Sequence, residues 1–471
     1  MTDKLETLIY ADTIRELPAE FVPLFDIPSL LKNRPRTIVV LDDDPTGIQT
    51  VHGVKVYMNW SPEILAEAFK NERIFYLQTN SRSLRSAETV ALHRDIAKLL
   101  IPAAKAAKVT SFSVISRSDS TLRWNYPEET GTLRDELEKA GIGYDGELII
   151  PYFYEGGRFT INDIHYVKQG ENLVPAGETE FAKDASFGYK SSDLKDYVEE
   201  KTKGVYTAES VVSIPLSLLR SGNIKAVADV LKSVSGFNKI IVNAVSDNDL
   251  RVLSLALYEA EAAGKSYMFR TAASFVKIYG LITDKALLGA NELCPKGQGG
   301  ILTVSGSHVK KTRAQIARLL KEPRVTPVML DVAEVLAAKD INIITDQFSK
   351  TIDDVITAGG NPVLFTSSAV NGPMNDSLEN AMTVSSALVD IVKTLKVRPR
   401  CFIAKGGITS SDLAVKGLGV DRAEVLGQIL PGVPVIAAGE SSKWPGLSYV
   451  IFPGNVGDED ALAIAFSKLN P

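Results

Sequence analysis

Thr37-Ile38-Val39-Val40-Leu41 runs directly into Asp42-Asp43-Asp44-Pro45-Thr46-Gly47. An uncharged, mostly β-branched run reads as a strand buried on both faces, and the Pro and Gly that follow close it with a turn. The same grammar recurs at Val54–Met58, Ile74–Gln78, Phe112–Ser116, Glu147–Pro151 and Lys239–Asn243. Amphipathic segments such as Pro62–Lys70 and Glu88–Leu100 lie between several of these runs. Buried strands alternating with helices predict an α/β fold with mostly parallel sheets covered by helices.

A second series follows residue 300: Ile301–Val304, Thr326–Leu330, Pro362–Thr366, Cys401–Ala404, Val433–Ala437 and Ser448–Phe452. Between the series stands Cys294-Pro-Lys-Gly-Gln-Gly-Gly300, whose glycines and proline read as a linker. The expected organisation is an N-terminal arm over 1–35, a first sheet domain over 36–284, a linker over 285–300 and a second sheet domain over 301–471. Two such domains on a flexible link predict an interdomain cleft that holds the active site and closes on its ligands. The arm, rich in proline between Leu17 and Pro28, reads as a peripheral extension packed on the body or on a second subunit, which leaves room for a homodimer.

The chain of 471 residues is long enough for two large domains, and its 45% hydrophobic and 23% charged residues exclude disorder. A net charge of −5 without a basic run argues against nucleic acid as a partner. No apolar stretch has the length of a membrane helix, and the first ten residues lack the pattern of a signal peptide, so a cytoplasmic protein is expected. Cys294 and Cys401 are too few for a disulfide framework, and His52, His93, His165 and His308 show no zinc-ligand spacing.

Four turns in the first half carry chemistry. Asp42-Asp43-Asp44 should end its strand facing the crevice where parallel sheets bind ligands. Carboxylates there can accept hydrogen bonds from sugar hydroxyls, hold Mg²⁺ through water or act as a base; a solvated turn with capping aspartates is the structural alternative. Ser116-Arg117-Ser118-Asp119-Ser120-Thr121-Leu122-Arg123 supplies two guanidinium groups suited to carboxylates and phosphates. Pro151 to Gly157-Arg158 and Phe269-Arg270-Thr271 add two more arginines after strands. Together they favour an anionic, hydroxylated small molecule.

The second half uses glycine instead. Val304-Ser305-Gly306-Ser307-His308, Ala404-Lys405-Gly406-Gly407-Ile408-Thr409-Ser410-Ser411 and Phe452-Pro453-Gly454-Asn455-Val456-Gly457-Asp458 each join a strand to a helix. Backbone N–H groups at such turns bind anions, glycine permits close approach, and hydroxyls add donors. Three of them point to a phosphorylated ligand such as a nucleotide. Gly264-Lys265-Ser266 is not a P-loop, because Glu259 occupies the first glycine position and a strand follows rather than precedes it.

In this order the motifs resemble those of the four-carbon acid sugar kinases. The family's ADDxTG is similar to Asp42–Gly47, and its K-x-D-S-T-L-R-G-N to Arg117–Asn125. The GR turn ends at Arg158, GGxTS matches Gly406–Ser410, and PGxxGxxD starts at Pro453 and includes Asp458. Arg117 stands where the family commonly has lysine, and Trp124 where it has glycine. The resemblance implies an N-terminal domain for the sugar acid, a C-terminal domain for ATP, and transfer of the γ-phosphoryl group to the terminal hydroxyl of threonate, erythronate or 3-oxotetronate. It implies that Asp43, Asp44, Arg117, Asp119, Arg158 and Arg270 line the acid pocket. Ser305 or Ser307, Gly406, Gly407, Ile408, Thr409 and Gly454 would contact ATP. Mg²⁺ would bridge the phosphate oxygens with few protein ligands, and Asp44 and Asp119 are the candidate bases. The competing readings are a ligase or lyase acting on a sugar acid, and a non-catalytic sugar-acid sensor.

Overall fold

The computed structural model describes residues 5–33, 36–294, 299–306, 309–367, 378–454 and 456–470. The chain forms two compact units, Met1–Gly47 with Trp60–Asp284, and Ile48–Asn59 with Lys285–Pro471. The α/β architecture expected from alternating strands and helices is the one observed.

The first unit is built on seven strands in the order Val212–Ile214, Asn238–Val242, Gly146–Ile150, Tyr267–Thr271, Phe112–Arg117, Thr37–Asp42, Ile74–Gln78, all parallel. The central strands are buried along their whole length, as their unbroken apolar sequences require. The chain leaves Thr37–Asp42 towards Ile74–Gln78 on one side, and Phe112–Arg117 towards Gly146–Ile150 on the other. The ends of these two neighbouring strands therefore form a topological switch point, with Asp42 in register with Arg117.

A second, antiparallel sheet of Leu8–Ile9, Asn172–Pro175, Ile164–Gln169 and Arg158–Ile161 follows the GR turn. The N-terminal arm supplies its first strand, and Arg220 Nη1 donates to the carbonyl of Pro18 at 2.7 Å. The arm thus packs on the first unit.

In the second unit the order is Lys55–Tyr57, Arg422–Leu430, Val433–Ala438, Ser448–Phe452, Cys401–Lys405, Ile301–Ser305, Asn361–Thr366, Val325–Leu330. The last five are parallel, and the first three join antiparallel. Residues 48–59, which lie by sequence inside the 36–284 segment, belong to this unit because Lys55–Tyr57 pairs with Arg422–Glu424. Leu288, Leu293 and Cys294 are buried in its core, so the first part of the 285–300 segment expected as a linker is packed structure. The switch point here lies between Ile301–Ser305 and Cys401–Lys405, whose onward connections run to opposite sides. Among the described residues no helix is long and apolar enough to cross a membrane.

Candidate functional site

Asp42, Asp43 and Asp44 leave the first unit's sheet at its switch point, and guanidinium groups meet them there. Arg117 Nη1 lies 3.4 Å from Asp42 Oδ1 and 3.8 Å from Asp43 Oδ1. Arg82, on the short turn Ser81–Ser83 after the strand Ile74–Gln78, holds Asp43 with Nη2 at 2.7 Å and Nε at 3.3 Å, and Asp44 with Nη1 at 3.1 Å. Gly47 closes the turn because a Cβ there would stand 1.9 Å from Asp42 Oδ1. No side chain fits in that space.

The surroundings split three adjacent carboxyls. Burial pushes Asp42 up to about 8 against the pull of Arg117. Burial also raises Asp43, with Arg82 and Arg117 opposing. Burial works on Asp44 too, but Arg82 and the Thr46 hydroxyl and amide outweigh it and leave its pKa below the usual value. Asp44 is the most open of the three, with a fifth of its side chain exposed. Asp119 is held well below the carboxylate range: burial is outweighed by Arg82, Arg123 and Thr121, with Arg123 Nε at 2.7 Å.

The remaining arginines differ in how far they are committed. Arg270 is fully buried, ion-paired with Glu129, 2.7 Å from Ser116 Oγ and stacked 4.4 Å from the Trp124 ring. It forms the floor beneath the turns rather than an open wall. Trp124 is likewise buried, in the cluster that includes Tyr126 and Tyr197. Arg158 is half-buried, shares the Phe181 ring with Arg123 at 5.8 and 4.9 Å, and forms no ion pair among the described residues. Its Nε is buried without a partner, and burial lowers its pKa.

The second unit gathers its turns at its own switch point. Ser305 ends its strand buried, with an unpartnered Oγ. A Cβ on the neighbouring Gly306 would lie 2.9 Å from Leu388 and 3.3 Å from Thr409 Oγ1. Gly406 has φ +113°, a conformation that disfavours side chains, and its N–H donates to Phe452 O at 2.8 Å. A cavity of about 220 Å³ opens here, with Leu336, Val384, Leu388 and Ile408 as apolar walls and Thr366 and Thr409 as polar points. Gly407 starts the helical turn Gly407–Asp412, and Ile408 is largely exposed. Gly454 has open space where a Cβ would be. Ser307 lies outside the described residues.

Two residues were not singled out from the sequence. Arg82 stands in a short turn that follows a buried strand, and that setting was its signal. Lys405 is fully buried beneath the glycine turns, and its Nζ donates to Pro453 O at 2.6 Å and Gly454 O at 3.2 Å. Burial, aided by Lys311, pushes its pKa down to about 7. No group of three or more His, Cys, Asp or Glu among the described residues is arranged to hold a metal.

Comparison with known proteins adds the following. Residues 38–279 match the model of a sugar-binding N-terminal domain, and residues 302–462 that of a nucleotide-binding C-terminal domain. A 3-oxo-tetronate kinase of Pseudomonas savastanoi pv. phaseolicola is 24% identical over 432 residues, covering 90% of this chain and 92% of that protein. A structure from Salmonella typhimurium LT2, described as a candidate tRNA synthase, superposes with a TM-score of 0.68 at 18% identity, covering 91% and 98% of the two chains. A Haemophilus influenzae protein of the DUF1537 family does so with 0.62 at 18% identity, covering 92% and 100%. Both structures share the fold.

Proposed function

The chain belongs to the four-carbon acid sugar kinase family and is a kinase, and from that membership we propose that it transfers the γ-phosphoryl group of ATP to the terminal hydroxyl of a four-carbon sugar acid such as threonate, erythronate or 3-oxotetronate. The observation that carries this reading is that each unit collects its candidate residues at the switch point of its own sheet. Carboxylates and guanidinium groups stand at one, glycine turns and an unpartnered hydroxyl at the other.

Phosphoryl transfer depends on positioning and charge neutralisation. In the second unit, the apolar cavity suits a flat heteroaromatic base. The glycine turns at Gly406, Gly407 and Gly454 allow phosphates close to the backbone, and Ser305, Ile408 and Thr409 complete the nucleotide contacts. Mg²⁺ would arrive with the nucleotide and would supply charge neutralisation there.

In the first unit, Arg117, Arg158 and the floor supplied by Arg270 make the pocket attractive to an acid, while Asp43 fixes Arg82 in place. Asp44 takes the proton of the attacking hydroxyl, and Asp119 binds substrate hydroxyls as an acceptor. A low pKa suits a base that receives its proton late, as the hydroxyl becomes acidic on bonding to phosphorus. Four-carbon acids incubated with ATP and Mg²⁺ should yield ADP and a phosphorylated acid by mass spectrometry. Absence of any phosphorylated acid across the panel overturns the reading.

A further inference from the structure

The loop Asp119–Arg123 is held in an unusual way. Four consecutive carbonyls each accept a hydrogen bond from a different aromatic side chain. Trp124 Nε1 donates to Asp119 O, His165 Nε2 to Ser120 O at 2.8 Å, Tyr189 hydroxyl to Thr121 O at 2.8 Å and Tyr197 hydroxyl to Leu122 O at 3.2 Å. All four side chains are buried. His165 lies on the strand Ile164–Gln169 and Tyr197 on the helix Leu194–Lys201. The antiparallel insertion after the GR turn therefore supplies much of the grip. The His165 tautomer is fixed by its neighbours: Nε2 faces a carbonyl and must carry the proton, and Nδ1 accepts from Thr160 Oγ1 at 3.1 Å. Burial pushes the His165 pKa down to about 4, so the ring stays neutral at ordinary pH.

A trans peptide directs its N–H opposite to its carbonyl. The N–H groups of Ser120, Thr121 and Arg123 thus point away from the donors that hold the carbonyls of Asp119, Ser120 and Leu122. Among the described residues none of these three N–H groups has an acceptor, whereas Leu122 N bonds Asp119 O at 3.3 Å. The guanidinium groups of Arg82, Arg123 and Arg158 all act electrostatically on Asp119. Free amide donors in a guanidinium-rich setting form a receptor for an anion.

We propose that the N–H groups of Ser120, Thr121 and Arg123 receive the carboxylate of the sugar acid, and that Trp124, His165, Tyr189 and Tyr197 are positioning residues that hold the loop in its receiving conformation. The inference rests on the reading of the protein as a sugar-acid kinase and names the subsite for the acid's charged end. Affinity for the acid then depends on two hydroxyls and two ring nitrogens that never touch it.

The test combines Tyr189→Phe, Tyr197→Phe and their double variant with His165→Gln, which keeps an N–H donor, and His165→Leu, which does not. Acid binding is measured by calorimetry with threonate and erythronate, kinetics with ATP, and amide exchange on the peptide spanning 118–124 in the free protein. Each Tyr variant should weaken acid binding about fivefold, the order of one lost hydrogen bond, and the double variant more. The KM for ATP should not move, loop exchange should quicken, and His165→Gln should lie closer to the parent than His165→Leu. Variants that lose thermal stability yet bind the acid as the parent does, with unchanged loop exchange, overturn the inference. A parent that binds these acids without phosphorylating any of them overturns the kinase substrate while leaving the subsite to the variants. A parent that binds none of them overturns both.

Discussion

The first unit writes its site in side chains and the second writes its site in backbone. At the first switch point, Asp42, Asp43, Asp44 and Asp119 are interlocked with Arg82, Arg117 and Arg123, and almost every charge has a partner. At the second, the described turns offer Gly306, Gly406, Gly407 and Gly454, with a buried cation, Lys405, whose hydrogen bonds go to carbonyls. The contrast follows from the ligands assigned to them. A small acid with several hydroxyls must be recognised atom by atom, which takes paired and oriented polar groups. A polyphosphate presents diffuse charge, which peptide N–H groups bind without bulky side chains. Changes to side-chain chemistry should therefore damage the first site, and changes to backbone freedom the second.

The largest effect is expected from Asp44→Asn. Asn keeps the shape and can still accept from Thr46, but it cannot take a proton. The turnover number should fall by about 10²- to 10⁴-fold, the usual range for a lost general base. ATP binding, measured by calorimetry, should stay within about twofold. Undiminished turnover would remove Asp44 as base and leave Asp119 as the remaining candidate.

Gly406→Ala probes the other half of the contrast. At φ +113° an alanine is strained by roughly 1–3 kcal/mol, although only the Thr409 side chain stands near the added methyl. The KM for ATP should rise about tenfold with the KM for the acid unchanged. Equal rises in both would mean that the glycine turn serves the whole enzyme rather than the nucleotide.

The same contrast decides what was legible in the sequence. Runs such as Thr37–Asp42 and Ile74–Gln78 announce themselves because both faces are buried. Arg422–Leu430 does not, because its residues alternate between buried and half-buried and break the apolar run at every second position. The Arg158–Ile161 and Ile164–Gln169 hairpin was hidden in a polar stretch, although Asn162 and Asp163, both at positive φ, form the turn that joins its strands. Lys55–Tyr57 was readable as a strand but not as a partner of Arg422–Glu424, since that pairing is tertiary. Site residues follow suit. Strand-end position and residue type pointed to the arginines. The burial of Arg270 against Glu129, and the hold of Arg82 on Asp43 and Asp44, arise from contacts that no local pattern encodes.

The effect that is smallest near pH 4, and that tests where charge is stored, concerns Asp42. Its carboxyl has a pKa of about 8 in the fold against 3.8 for the free group, so the folded state binds the proton more tightly than the unfolded chain. The stabilisation from this proton is fully present below about pH 4 and is lost as pH rises through about 8. Asn resembles the protonated acid and does not titrate. Asp42→Asn should therefore lie within about 1 kcal/mol of the parent near pH 4, the scale of one altered hydrogen bond. Its melting temperature should then gain on the parent as pH climbs from about 4 to about 8 and level off above that. A constant difference across that range would show that Asp42 is ionised throughout, held by Arg117 against its burial. The first unit would then keep all three neighbouring carboxylates charged, and Arg82 and Arg117 would have to offset the full repulsion among them.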